Sequence, residues 1–249
     1  MGIAENIASI RERIAAAAGH SGRNAEEVAL MAVSKTMPAD SIKEAFEAGQ
    51  RLFGENRVQE FAEKQIELVA ASPSEAAAQV CDVFDIAKAK FHLIGHLQSN
   101  KAAKAAELFD AIDSVDSLKL AERLNAAAEK LGKKLEILIE VNVGGEEQKA
   151  GVMPESRELE ELLAAAPLLA SLDMRGLMTI PPATEDPEGA RPYFRTLREL
   201  RDRINSRNLP ALNLRELSMG MSHDFEVAVE EGSTCVRVGT AIFGERKKQ

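Results

Sequence analysis

Short apolar or β-branched runs alternate with Ala/Glu/Lys/Arg-rich stretches of helical period along almost the whole chain. An amphipathic helix is predicted at about 3–18, before VALMAVSK (28–35) reads as a first strand and a helix follows at about 39–48. RLFGEN (51–56) leads to a second helix from near Arg57, and FHLIGHL (91–97) to one near 100–108. AIDSVDS (111–117) precedes a long helix at about 118–131, and LEILIEVNV (135–143) one at about 155–166. MRGLMTI (174–180) precedes a helix at about 187–207, and LNLRELSMGM (212–221) a short one at about 224–231. CVRVGTAIFG (235–244) reads as the last strand. Strands separated by helices at this spacing imply parallel βαβ units. Eight of them predict an α/β fold, a single (β/α)8 TIM barrel over residues 1–249 with an extra N-terminal helix. Residues 71–90 open an unusually long gap before the third strand and read as an extended second helix or a surface insertion.

Composition agrees with a helix-covered sheet. Apolar residues make up 45% of the 249 positions, but aromatics only 4%, with no Trp and the single Tyr193. Ala, Val, Leu and Ile therefore do the packing. A net charge of −9 argues against a general nucleic-acid binder, which needs a basic face. Cys81 and Cys235 form no CxxC pair, which suits a reduced compartment. The N-terminus carries charges throughout, unlike a signal peptide. The longest apolar stretch, LLAAAPLLASL, is too short to span a bilayer and contains Pro167. These features point to a soluble cytoplasmic protein.

In such a barrel the chemistry sits at the C-terminal ends of the strands and in the loops that follow. Lys35 ends an apolar strand. An amine in a partly desolvated pocket there can form a Schiff base with a carbonyl; the alternative is a lysine that snorkels to solvent. SMGMSHDFE and VRVGT place small residues after the seventh and eighth strands, where barrels often bind phosphate. Ser222 and Asp224 could equally do no more than cap a helix. Arg237 lies on the inner run of the last strand, where a guanidinium must be paired or face a ligand. His92 and His96 flank the third strand, and no set of His, Cys, Asp and Glu has metal-ligand spacing.

AVSKT, GENRVQE, FHLIGHLQSNK, GLMTI, LSMGMSHDFE and VRVGTAIFGER, in this order, resemble the YggS/PROSC family of pyridoxal 5′-phosphate (PLP) homeostasis proteins over essentially the whole chain. The resemblance implies the barrel of the alanine racemase N-terminal domain (fold-type III PLP proteins) and PLP as cofactor. It implies a role in keeping B6 vitamers and amino-acid pools in balance, with no firmly established turnover. It makes Lys35 the Schiff-base lysine and puts Asn56 beside the cofactor ring, near the 3-hydroxyl side. Ser218, Ser222, Gly239 and Thr240 would hold the phosphate and Arg237 would face the pyridine nitrogen. His96 and Met178 would line the pocket. The 71–90 stretch is longer than is usual in that family.

A guanidinium stays protonated, so Arg237 discourages a pyridinium and with it broad carbanion chemistry. The expected role is a PLP carrier or buffer without turnover, with apo-enzymes as partners, no membrane or nucleic acid, and a monomeric state. The rival reading is an amino-acid racemase, which needs a second acid/base opposite the lysine. In alanine racemase a tyrosine from a C-terminal domain fills that role, and here Tyr193 falls on a predicted outer helix. A PLP-independent Schiff-base lyase acting through Lys35 is the third.

Overall fold

The computed structural model describes residues 2–72, 84–146 and 148–244. Its elements run α1 (Ile3–His20), β1 (Ala29–Val33), α2 (Ala39–Glu47), β2 (Leu52–Glu55), α3 (Val58–Ala71), β3 (Lys90–Leu93), α4 (Ala102–Leu108), β4 (Ala111–Val115) and α5 (Leu118–Lys130). They continue as β5 (Leu135–Glu140), α6 (Arg157–Ala165), β6 (Leu172–Met178), α7 (Arg191–Ser206), β7 (Glu216–Met221), α8 (Phe225–Glu230), β8 (Cys235–Val238) and α9 (Thr240–Phe243). The eight strands form a closed barrel in chain order. Every neighbouring pair is parallel, and the seam closes between β1 and β8 through Ala29 opposite Cys235 and Met31 opposite Arg237. The predicted (β/α)8 barrel and its extra N-terminal helix are both present.

Successive side chains of a strand point to opposite faces. Leu30 and Ala32, Phe91 and Leu93, Ile137 and Ile139, Leu217 and Met219, and Val236 and Val238 belong to the main core between strands and helices. The alternate positions form a different interior. Met31, Val33, Ile94 and Cys235 make a small apolar cluster of their own. The remaining inward positions include the buried polar side chains His92, Asp113, Glu140, Ser218 and Arg237. The barrel axis is thus markedly polar, whereas the shell around it is apolar. α1 buries Ile7, Ile10, Ile14, Ala17 and Ala18, one stripe at helical spacing, and packs on α2, α8 and α9.

Two element predictions need correction. CVRVGTAIFG is not one strand: β8 stops at Val238 and Thr240–Phe243 is helical. The amides of Ile242 and Phe243 both donate to Gly239 O at 2.9 Å, and Asn6 Nδ2 on α1 holds Ile242 O at 2.8 Å. Docking on α1 therefore overrides the β-branched run. The seventh strand starts at Glu216, because the Asn205 side chain takes both the amide (2.9 Å) and the carbonyl (2.8 Å) of Leu214 out of any ladder. The other strands also end earlier than predicted, so Lys35 and His96 lie in the loops beyond β1 and β3. Of the 71–90 stretch, Ala71 closes α3 and Lys90 opens β3; residues 73–83, including Cys81, lie outside the described residues.

Candidate functional site

A cavity of about 590 Å³ opens at the C-terminal ends of the strands. Lys35, Asn56, His96, Ser222, Arg237, Gly239 and Thr240 all line it. Residues separated by more than 200 positions in the chain therefore converge, because parallel closure brings all eight strand ends to one rim.

The turn that carries Lys35 is held from both sides. Ser34, before it, donates its amide to Gly54 O at 3.0 Å, and its hydroxyl to Glu55 Oε1 at 2.7 Å. Its carbonyl accepts from Lys64 Nζ at 3.0 Å. Thr36, after it, sits in the left-handed region at φ 64° and donates its amide to Glu60 Oε1 at 2.6 Å. Lys64 Nζ lies 2.7 Å from Glu55 Oε1 and 3.4 Å from Glu60 Oε1, so one buried ammonium ties both halves of the clamp together. Burial pushes the Glu55 carboxyl above its usual range, with Lys64 and Ser34 pulling it back down. A strained φ of this kind persists where the surroundings over-determine it, and here they do.

On β8, the strand paired with β1, Arg237 is buried. Its Nη1 donates to Ser218 Oγ and its Nη2 to Thr179 O, both at 2.7 Å. Burial pushes its pKa down, opposed by Cys235, Asp113, Glu140 and Asp224. The protein fixes the guanidinium from behind and leaves it facing the cavity. Ser218 is fully buried and lies outside the cavity wall; its hydroxyl meets Arg237 and the Cys235 thiol. Met178, at the end of β6, is likewise fully buried and outside the wall.

Ser222 follows β7 directly, and its Oγ accepts from Gly239 N at 3.4 Å, bridging the two loops after β7 and β8. Asp224 makes no side-chain cap on α8; its Oδ1 accepts from Met221 N at 2.6 Å. This tightens the SMGMS turn, where Gly220 adopts φ 93° and a Cβ would come within 2.5 Å of Ala228 Cβ. Gly95 has a similar function on the other side. A Cβ there would stand 2.4 Å from Asn56 O, so only glycine lets the end of β3 close on Asn56. His96 is exposed, with Nδ1 3.2 Å from Asp116 Oδ2.

Several wall residues escaped the sequence reading. Glu140, the last residue of β5, is buried, lines the cavity and leaves Oε2 without a hydrogen-bond partner. Burial, reinforced by Asp116 and opposed by Arg237, pushes its carboxyl up to about 7. Lys149 reaches the cavity from the loop after β5, ion-paired with Glu146. The signal for Glu140 was present in LEILIE, whose glutamates fall on the face opposite Leu135, Ile137 and Ile139. His92 points inward and pairs with Asp113 at 3.0 Å, away from the cavity. Cys235 is buried, and burial pushes its thiol up to about 12, which makes it inert. Among the described residues no group of three His, Cys, Asp or Glu could hold a metal, and no helix is long and apolar enough to cross a membrane.

The profile of the alanine racemase N-terminal domain matches residues 6–247. The chain is 44% identical to a pyridoxal phosphate homeostasis protein of Aquifex aeolicus over 247 residues, covering 99% of this chain and all of that one. It is 41% identical to the protein of the same name from Escherichia coli over 98% of its length and 97% of the relative's. Among solved structures it is similar to PipY of Synechococcus elongatus with PLP bound, at 40% identity and a TM-score of 0.75, over 97% of this chain and 100% of that one. An alanine racemase of Clostridium difficile shares the fold at 14% identity and a TM-score of 0.68, over 100% of this chain but 58% of its own. A barrel with one cavity built from the turn of Lys35, the buried Arg237 and the loops after β7 and β8 thus meets close sequence kinship along its whole length, and the chain belongs to the family of the pyridoxal phosphate homeostasis proteins.

Proposed function

We propose that the protein binds PLP in this cavity and serves intracellular PLP homeostasis as a carrier or buffer rather than through turnover. The observation that carries this reading is the convergence of Lys35, Arg237, Ser222, Gly239 and Thr240 on one cavity. Its volume suits one small ligand, and its donors suit an anionic aromatic aldehyde: a primary amine, a guanidinium, hydroxyls and backbone amides.

When bound, PLP supplies an aldehyde that reacts with primary amines. Lys35 would hold it covalently through its ε-amine. The clamp around Ser34 and Thr36 keeps that amine on the cavity side. Ser222, Gly239 and Thr240 would hold the phosphate, and Asn56 and His96 would border the ring. Arg237 would face the pyridine nitrogen; a guanidinium donates and does not accept protons. Ser218 would then act by fixing Arg237 rather than by touching phosphate, and Met178 by supporting the floor. The racemase reading finds no support in the cavity, since Tyr193 stands on α7 and is not part of its wall. On this account the protein acts as a cytoplasmic monomer that hands PLP to apo-enzymes or withholds its aldehyde from other amines.

Gel filtration of the protein after loading with PLP tests the reading. Wild type should retain the chromophore. Ser222→Ala and Thr240→Val should bind about ten- to a hundredfold more weakly, the worth of a hydrogen bond to a charged group. Wild type that elutes without PLP would refute the proposal.

A further inference from the structure

Glu140 is the one buried carboxyl of the described cavity wall that is left with an oxygen no protein group satisfies. Asp116, the acid that acts on Glu140 from outside this wall, has His96 beside it at 3.2 Å. Buried polar atoms without partners are rare and call for an explanation. This one belongs to a residue that lines a cavity which, on the PLP-binding reading, accepts an anion. Building on the PLP-binding reading, we propose that Glu140 contacts the bound phosphorylated cofactor in its protonated form, so that retention of PLP weakens as the medium turns alkaline.

Glu140 is on the inward face of β5, at the strand's end, facing the same space as Arg237 on β8. Asp116, from the loop after β4, and Arg237 act on it electrostatically; Lys35, His96, Lys149 and His223 complete the titratable groups of the wall. A neutral carboxyl offers the ligand one donor and one acceptor, whereas a carboxylate offers acceptors alone. Bringing a phosphate dianion into the same cavity adds negative charge close to an acid that burial has already brought near neutral pH. The dianion makes ionisation harder still. By linkage, a group whose proton is held more tightly in the complex takes up a proton on binding, and affinity falls once the medium is alkaline enough to remove it from the free protein. No such dependence arises if an amide replaces the carboxyl, because Gln keeps one donor and one acceptor at every pH.

PLP affinity of wild type and Glu140→Gln, measured by equilibrium dialysis between pH 6 and 8.5, tests this. The cofactor's own ionisations and those of Lys35 are common to both proteins and cancel in the ratio. The ratio of wild-type to variant affinity should fall about five- to tenfold across that range. Calorimetry of the wild type in two buffers of different ionisation enthalpy should show proton uptake near pH 7 that the variant lacks. A ratio that stays flat or rises, or equal proton uptake by the two proteins, overturns the inference while leaving PLP binding intact. Failure of both proteins to bind PLP at any pH overturns both readings.

Discussion

Lys64 Nζ stands 2.7 Å from Glu55 Oε1, both side chains buried, and this pair joins the β2 end to α3 directly beneath the turn that carries Lys35. Breaking a buried pair from one side leaves an uncompensated charge and costs about 3–5 kcal/mol. Lys64→Met should therefore lower stability by about that amount in chemical denaturation, and should also loosen the Ser34 carbonyl it holds. PLP affinity should drop with it, whereas Glu55→Leu combined with Lys64→Met should recover much of the stability but not the affinity. Equal affinity in the double variant and the wild type would show that the clamp does not position Lys35.

Ser218 and Arg237 give a second prediction. Ser218→Ala removes the acceptor of Arg237 Nη1 in a fully buried setting, which costs roughly 1–3 kcal/mol. If the hydroxyl acts through the guanidinium, Ser218→Ala and Arg237→Ala should each weaken PLP binding, and the double variant should lose far less than the sum. Additive losses in a double-mutant cycle would mean that Ser218 touches the ligand on its own.

Glu140 makes the ligand-free protein sensitive to pH as well. Its carboxyl rises from 4.5 to about 7 on folding, so the native state holds a proton that the unfolded chain releases. The sign follows: the folded protein binds more protons between those limits, and stability declines as pH climbs through them. Below about 4.5 the group is neutral in both states and contributes nothing. Above about 7 the full penalty applies, roughly 2 kcal/mol once partial solvent access is allowed for. Glu140→Gln should thus match wild type at pH 4.5 and exceed it at pH 8 in thermal melts without PLP. A constant difference across that range would contradict the assignment.

Much of this site was legible because parallel barrels gather their chemistry at one rim. Lys35 and Arg237 are unusual in apolar strands, and the glycine- and serine-rich turns after β7 and β8 stand out in the chain. What the sequence hid has three physical causes. Inward polar positions such as Glu140 and His92 alternate with apolar ones, and the same alternation marks a strand with one face in water. Ser218 sits within a motif that suggests anion binding, yet the pleat turns its hydroxyl toward Arg237. Thr240–Phe243 has strand-like residues but becomes a helix because α1, more than 230 residues earlier in the chain, offers it a partner. Such long-range contacts leave no trace in a local window. They also explain why the strands came out shorter, which moved Lys35 from a strand end into a clamped turn.

The central claim is that Lys35 carries PLP. Borohydride reduction of the PLP-loaded protein, followed by peptide mapping, tests it most directly. The account predicts a single stoichiometric pyridoxyl adduct on Lys35, absent from Lys35→Ala even though that variant stays folded. An adduct of the same yield on another lysine of the wild type, or its persistence in Lys35→Ala, would contradict it.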